Sequence, residues 1–93
     1  MPEMLSLPAQ LNHGVDIARE LGRLWALSPA EGAVEVDAST LEKLDSSAVA
    51  LLLEWQRRLQ RRRQALVIRN PSAALTSLLQ VYGVGELLAI SSP

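Results

Sequence analysis

The residues of this 93-residue chain whose types could do chemistry are few and widely spaced. His13 is the sole histidine and there is no cysteine, so neither a nucleophile–base pair nor a histidine-containing metal cluster can be assembled. The reading is of a non-enzyme with no catalytic residue, no metal and no cofactor. Gly14, Gly22, Gly32, Gly83 and Gly85 lack the close spacing of a phosphate-cradling loop. Two features remain. Asp45-Ser46 offers a carboxylate and a hydroxyl at the start of an apolar-periodic stretch, where side-chain oxygens meet unpaired backbone N–H groups. The hydroxyl of Ser46 there is also a candidate phosphorylation site, because the helix dipole stabilises added negative charge. Arg57, Arg58, Arg61, Arg62 and Arg63 form a basic run that could grip phosphates or an acidic groove. The plainer reading of the run is a solvated face whose cations complement a helix C-terminus.

The elements that must position these groups follow from periodicity. Met4 to Pro8 alternates apolar and polar residues as a short strand would, and Pro8 ends it or confines it to an edge. Ile17, Ala18, Leu21, Leu24 and Trp25 recur at helical spacing within Gly14 to Leu27, a helix stopped by Ser28-Pro29. Ala33 to Asp37 alternates with period two and predicts a strand. Ser46 to Arg63 predicts a second helix, with Asp45 and Ser46 as caps. Ala65 to Arg69 predicts a buried strand. Asn70 then reads as the cap and Pro71 as the first residue of a third helix that runs to Gly83. Glu86 to Ile90 is a terminal strand or a helical turn. Strands alternating with helices imply an α/β fold: one domain over residues 1–93, with about four strands in a mostly parallel sheet covered by helices.

Composition removes several classes of function. Leu (18) and Ala (12) dominate, Phe is absent and aromatics are 3%, which favours a tight aliphatic core over a base-stacking surface. The net charge of −1 supplies no overall field for nucleic acid or an anionic membrane. Lack of cysteine permits a reducing compartment. Met1-Pro2-Glu3-Met4 does not read as a secretory signal and no apolar run reaches about 18 residues, so the expected location is cytoplasmic. The charge is nevertheless lopsided: residues 1–45 carry three basic and eight acidic groups, residues 46–93 six basic and two acidic. That asymmetry suggests a contact surface of two signs.

The second helix carries the most information. Projected at about 100° per residue, Ala48, Leu51, Leu52, Trp55 and Leu59 share one stripe and are assigned to the core. Off that stripe lie Ser46, Val49, Ala50, Leu53, Arg57 and Gln60, a second face with a hydroxyl at its top and an apolar centre. Either a neighbouring helix of the same domain covers Val49 and Leu53, or the face is a docking patch with a polar rim. On the second reading Val49 and Leu53 are the anchors, and an isolated chain with that patch uncovered is prone to pair with itself.

Val34-Glu35-Val36-Asp37, a short loop, Leu44-Asp45-Ser46-Ser47-Ala48-Val49, an amphipathic helix, then Leu66-Val67-Ile68 and a helix ending Tyr82-Gly83-Val84 together resemble the STAS domain family over nearly the whole chain. Two branches of the family are relevant. In anti-sigma factor antagonists the serine after the Asp is phosphorylated by a partner kinase, and the match puts that role on Ser46, although Ala48 stands where Gly is usual. The short start, the Leu51-Leu52-Leu53-Glu54-Trp55 helix and the Val81 to Leu88 ending look more like the MlaB branch. That resemblance implies a cytoplasmic subunit, peripheral to the inner membrane, that binds the ATPase of a phospholipid-transport ABC complex. It also puts Ser46 in the contact and implies no direct binding of lipid. Val49, Ala50, Leu53, Arg57 and Gln60 are the residues expected around it.

Overall fold

The computed structural model describes residues 4–12, 16–83 and 88–91. Its main sheet is built from β1 (Leu5–Ser6), β3 (Val34–Asp37), β5 (Leu66–Arg69) and β6 (Ala89–Ser91) in that spatial order. All neighbours run parallel, with Leu5 beside Val36, Val34 beside Leu66 and Ile68 beside Ile90. Parallel neighbours need crossover connections, and the helices α1 (Ile17–Leu27), α2 (Ser46–Gln60) and α3 (Ala73–Tyr82) lie within them. A further parallel ladder, β2 (Gln10–Leu11) with β4 (Lys43–Leu44), is too short to leave a periodic signal in the sequence.

The expected core is present. Ala48, Leu51, Leu52, Trp55 and Leu59 are all buried, together with Leu21, Leu24, Val34, Val36, Leu66, Ile68, Leu75 and Leu79. The stripe of α2 contacts β5, while α1 and α3 flank the helix. Trp55 is fully buried, and its indole N–H donates to Ser28 Oγ at 3.0 Å, which itself donates to the Leu24 carbonyl at 2.8 Å. The polar end of the largest core side chain is thus satisfied at the point where α1 stops.

Four sequence expectations need correction. β5 is not buried on both faces: Leu66 and Ile68 face the core, whereas Val67 and Arg69 are half-buried, because their row falls on the more open face of the sheet. There Arg69 Nε donates to Glu35 at 2.7 Å across the β3–β5 pair. The cap of α3 is Ser72, whose hydroxyl accepts from the Leu75 N–H. Asn70 instead adopts a left-handed φ of 51° and donates to Asp37 Oδ1, leaving Pro71 ahead of the cap. α2 stops at Gln60, with Arg61, Arg62 and Arg63 in a following turn. α1 starts at Ile17 behind an Asp16 cap. His13, Gly14 and residues 84–87 lie outside the described residues.

Candidate functional site

The position of the α2 N-terminus is set by backbone hydrogen bonds from the segment before it. Ala38 N–H donates to the Arg69 carbonyl at 2.9 Å, Glu42 and Lys43 N–H both donate to the Ala9 carbonyl, and Asp45 N–H donates to the Leu11 carbonyl at 3.3 Å. Thr40 Oγ1 adds a bond to the Leu7 carbonyl at 3.0 Å. The loop between β3 and α2 is therefore fastened to β5 and to the N-terminal segment, and α2 enters along a fixed path.

Asp45 caps the helix: its Oδ1 accepts from the Ser47 N–H at 2.8 Å. The cap is Asp45 alone. Ser46 is the first helical residue and is exposed, so its hydroxyl sits at the positive end of the helix dipole, open to solvent. At the carboxyl end of β3, Asp37 accepts from Ser39 Oγ at 2.7 Å and from Asn70 Nδ2 at 3.1 Å. These two bonds, Ser39 first, hold its carboxyl below its ordinary pKa.

The second face of α2 divides. Ser46, Ala50, Arg57 and Gln60 are exposed and Leu53 is half-buried, so these five share one accessible strip along the outer side of the helix. Val49 does not belong to it. It is only 6% exposed and packs in the core, which corrects its assignment as an accessible anchor. The reason is angular: Val49 projects about 60° from Ser46 towards Leu52, onto the flank of α2, and both α1 and α3 contact that helix.

The basic run is also resolved into parts. Arg57 donates to both carboxylate oxygens of Glu54 at 2.8 Å, and Arg58 Nε donates to the same group at 3.2 Å. The Arg57 bond, more than any other influence, keeps the Glu54 carboxyl below its ordinary pKa. Arg62 lies over the ring of Trp25, 4.3 Å from its centre, and Arg58 lies 5.9 Å from it. Trp25, Glu54, Arg58, Arg61 and Arg62 line an open depression of about 490 Å³ between the end of α1 and the end of α2. In the sequence Trp25 belongs to the apolar periodicity of the first helix, with nothing to join it to the arginines. Only the i, i+4 spacing of Arg58 and Arg62 pointed to a shared face, and the approach of α1 that supplies the ring left no trace in local pattern.

Among the described residues no group of three or more His, Cys, Asp or Glu side chains could hold a metal ion, and no helix is long and apolar enough to cross a membrane.

Comparison with known proteins gives two findings. The family model described as Mlab, STAS domain, matches residues 14–89. A solved structure, that of an anti-sigma-factor antagonist (STAS) domain protein from Planctomyces limnophilus, superposes with a TM-score of 0.75 at 21% identity, covering 95% of this chain and 80% of that one. At that identity the likeness is one of fold. No curated protein matches the chain.

Proposed function

The chain belongs to the MlaB STAS domain family, and from that premise we propose that it is a non-catalytic subunit that docks on the ATPase of a phospholipid-transport ABC complex through the outer strip of α2. Leu53 is the apolar anchor, Ser46 and Ala50 continue the contact towards the helix start, and Arg57 and Gln60 form the rim. The observation that carries this reading is the strip itself: exposed Ser46, Ala50, Arg57 and Gln60 around a half-buried Leu53, on a helix whose opposite side already closes the core. Such a subunit acts by binding one arrangement of its partner better than another, and so favours the assembled or active state. It works from the cytoplasmic face, reaching the membrane through its partner and touching no lipid.

Co-purification of the ATPase with Leu53→Arg, alongside a thermal melt, tests this. The arginine stem can lie over the surface that Leu53 covers, so folding survives with a loss under about 1.5 kcal/mol, whereas ATPase affinity falls roughly 30-fold or more, as for a central anchor. Normal ATPase binding by a folded Leu53→Arg protein would refute the reading. Ser46→Asp is expected to weaken the same contact, because a charge would have to be desolvated there.

A second reading has one observation in its favour. Ser46 is exposed at the first position of α2, where a kinase can reach it and where the dipole stabilises a phosphate. An anti-sigma factor antagonist would then be switched by modification of Ser46. Phosphorylation by a purified anti-sigma kinase, with a sigma regulator binding the unmodified form alone, would establish this reading over the first.

A further inference from the structure

We propose that the depression between the ends of α1 and α2 receives the carboxylates of an acidic protein segment, carried by the partner that docks on α2. The inference rests on the docking reading and extends it from the outer strip to the flank. Among the described residues Glu54 pairs with both Arg57 and Arg58, whereas Arg61, Arg62 and Arg63 form no ion pair with any described residue. Two of these guanidiniums, Arg61 and Arg62, therefore line an open depression holding one acid, Glu54, whose carboxylate is already shared by two other arginines.

Helix-dipole compensation alone does not account for the arrangement. Arg57 and Arg58 lie in the last turn of α2, but Arg61, Arg62 and Arg63 follow its end, and Arg63 holds a left-handed φ of 59° at a position where glycine is less strained. A planar guanidinium presents its donors as a fork that fits a carboxylate, and Trp25 beneath Arg62 limits the directions that fork can take. Trp and Arg are also the side chains most enriched where protein contacts concentrate their binding energy. The chemistry favours an acidic protein segment over a nucleic acid or a lipid headgroup. The ring already carries two arginines, so base stacking would have to displace them. The net charge of −1 gives no extended field to gather the long run of phosphates of a nucleic acid or a membrane surface, whereas a short acidic segment needs only the local guanidiniums. The depression also adjoins Arg57 on the outer strip, so one partner can cover both.

The test is a fluorescence-anisotropy titration of the full chain with a labelled glutamate-rich peptide, repeated with inorganic phosphate and with phosphatidylglycerol vesicles as separate probes. Arg61→Gln and Arg62→Gln are each expected to weaken peptide binding about tenfold, as loss of a charge-assisted fork should. Lys43→Gln, an exposed cation on β4, should leave it within about twofold, since a distant exposed charge is screened. Raising salt from about 0.05 M to about 0.5 M should abolish most of the binding. Equal losses in Lys43→Gln and the arginine variants would overturn the proposal, as would arginine-dependent binding of phosphate or vesicles without binding of the peptide. Leu53→Arg separates the two readings. Unimpaired peptide binding by that variant keeps the acidic-segment site, whether or not the ATPase still binds.

Discussion

Replacing Arg63 by glycine should make the protein more stable, although it removes a charged side chain beside a helix C-terminus. The end of α2 shows why. Gln64 N–H donates to the Leu59 carbonyl and Arg63 N–H to the Gln60 carbonyl, both at 2.9 Å, the paired bonds of a helix terminated by a left-handed residue. α3 ends on such a residue too, and there it is Gly83 at φ 66°. In α2 the residue is Arg63 at φ 59°. A left-handed L-residue costs about 1–2 kcal/mol, and glycine gives back about 0.5–1 kcal/mol through its freer unfolded chain. The net gain is about 0.5–1 kcal/mol. Arg63 is exposed, so little packed area is lost, but its charge interacts favourably with the helix dipole. Arg63→Ala loses that same charge and keeps the strained backbone, so the difference between the two variants isolates the backbone term. By thermal melting, Arg63→Gly should exceed Arg63→Ala by roughly 2–8 °C, the shift such a difference gives in a domain of this size. Equal melting temperatures, or a less stable glycine variant, would refute the account of this turn.

Two further outcomes follow from the polar groups of the fold. Gln64 is buried, and its Nε2 donates to the Pro29 and Gly32 carbonyls at 2.8 and 3.0 Å. Gln64→Glu should cost about 3 kcal/mol or more at neutral pH, because a carboxylate would face those two carbonyls without a donor. That environment raises the folded pKa of the new acid, so the loss should shrink as the pH is lowered towards the ordinary glutamate value of about 4.3 and grow as it rises; denaturant melts at several pH values measure it, and a pH-independent cost would contradict the assignment. Asp37 behaves in the opposite sense. Its folded pKa is lowered by the Ser39 and Asn70 bonds, so it adds stability above the unfolded value of about 3.9 and loses it as pH falls through the folded one. Asp37 is accessible to solvent, so the stability difference between the wild type and Asp37→Asn should be below about 1 kcal/mol at neutral pH and close as the solution is acidified.

Much of the scaffold was legible because its signals are local. The 3.6-residue stripe of Ala48, Leu51, Leu52, Trp55 and Leu59 and the alternation of Val34 to Asp37 each follow from which residues face the core, and the structure places them so. The misreadings occur where a choice depends on a distant neighbour. Whether Asn70 or Ser72 caps α3 turns on the Asn70 bond to Asp37 on another strand. Whether Val49 is an anchor or core depends on the helices beside α2. The Trp25–Arg62 contact joins a residue of α1 to one in the turn after α2, and neither carries a mark of the other in its own segment. β2 and β4 pair two residues each, too few for any period to show.

The connectivity of β3, α2 and β5 also bears on how the molecule assembles. These three elements are consecutive apart from the short β4, and the two strands pair along their whole length from Val34 beside Leu66 to Asp37 beside Arg69. β1 and β6, by contrast, flank this pair and join it from the far ends of the chain. The chain closed by each pairing is of similar or shorter length, 31 residues for Leu5 beside Val36, 32 for Val34 beside Leu66 and 22 for Val67 beside Ala89, so loop closure gives the central pair no head start; its distinction is that each of its strands is paired on both sides. The helix that carries Ser46, Ala50 and Leu53 is thus the connection between the two doubly paired strands of the sheet. If the proposed partner docks there, it meets a helix already fixed at both ends by the sheet, and the ordering cost of association is smaller by that amount.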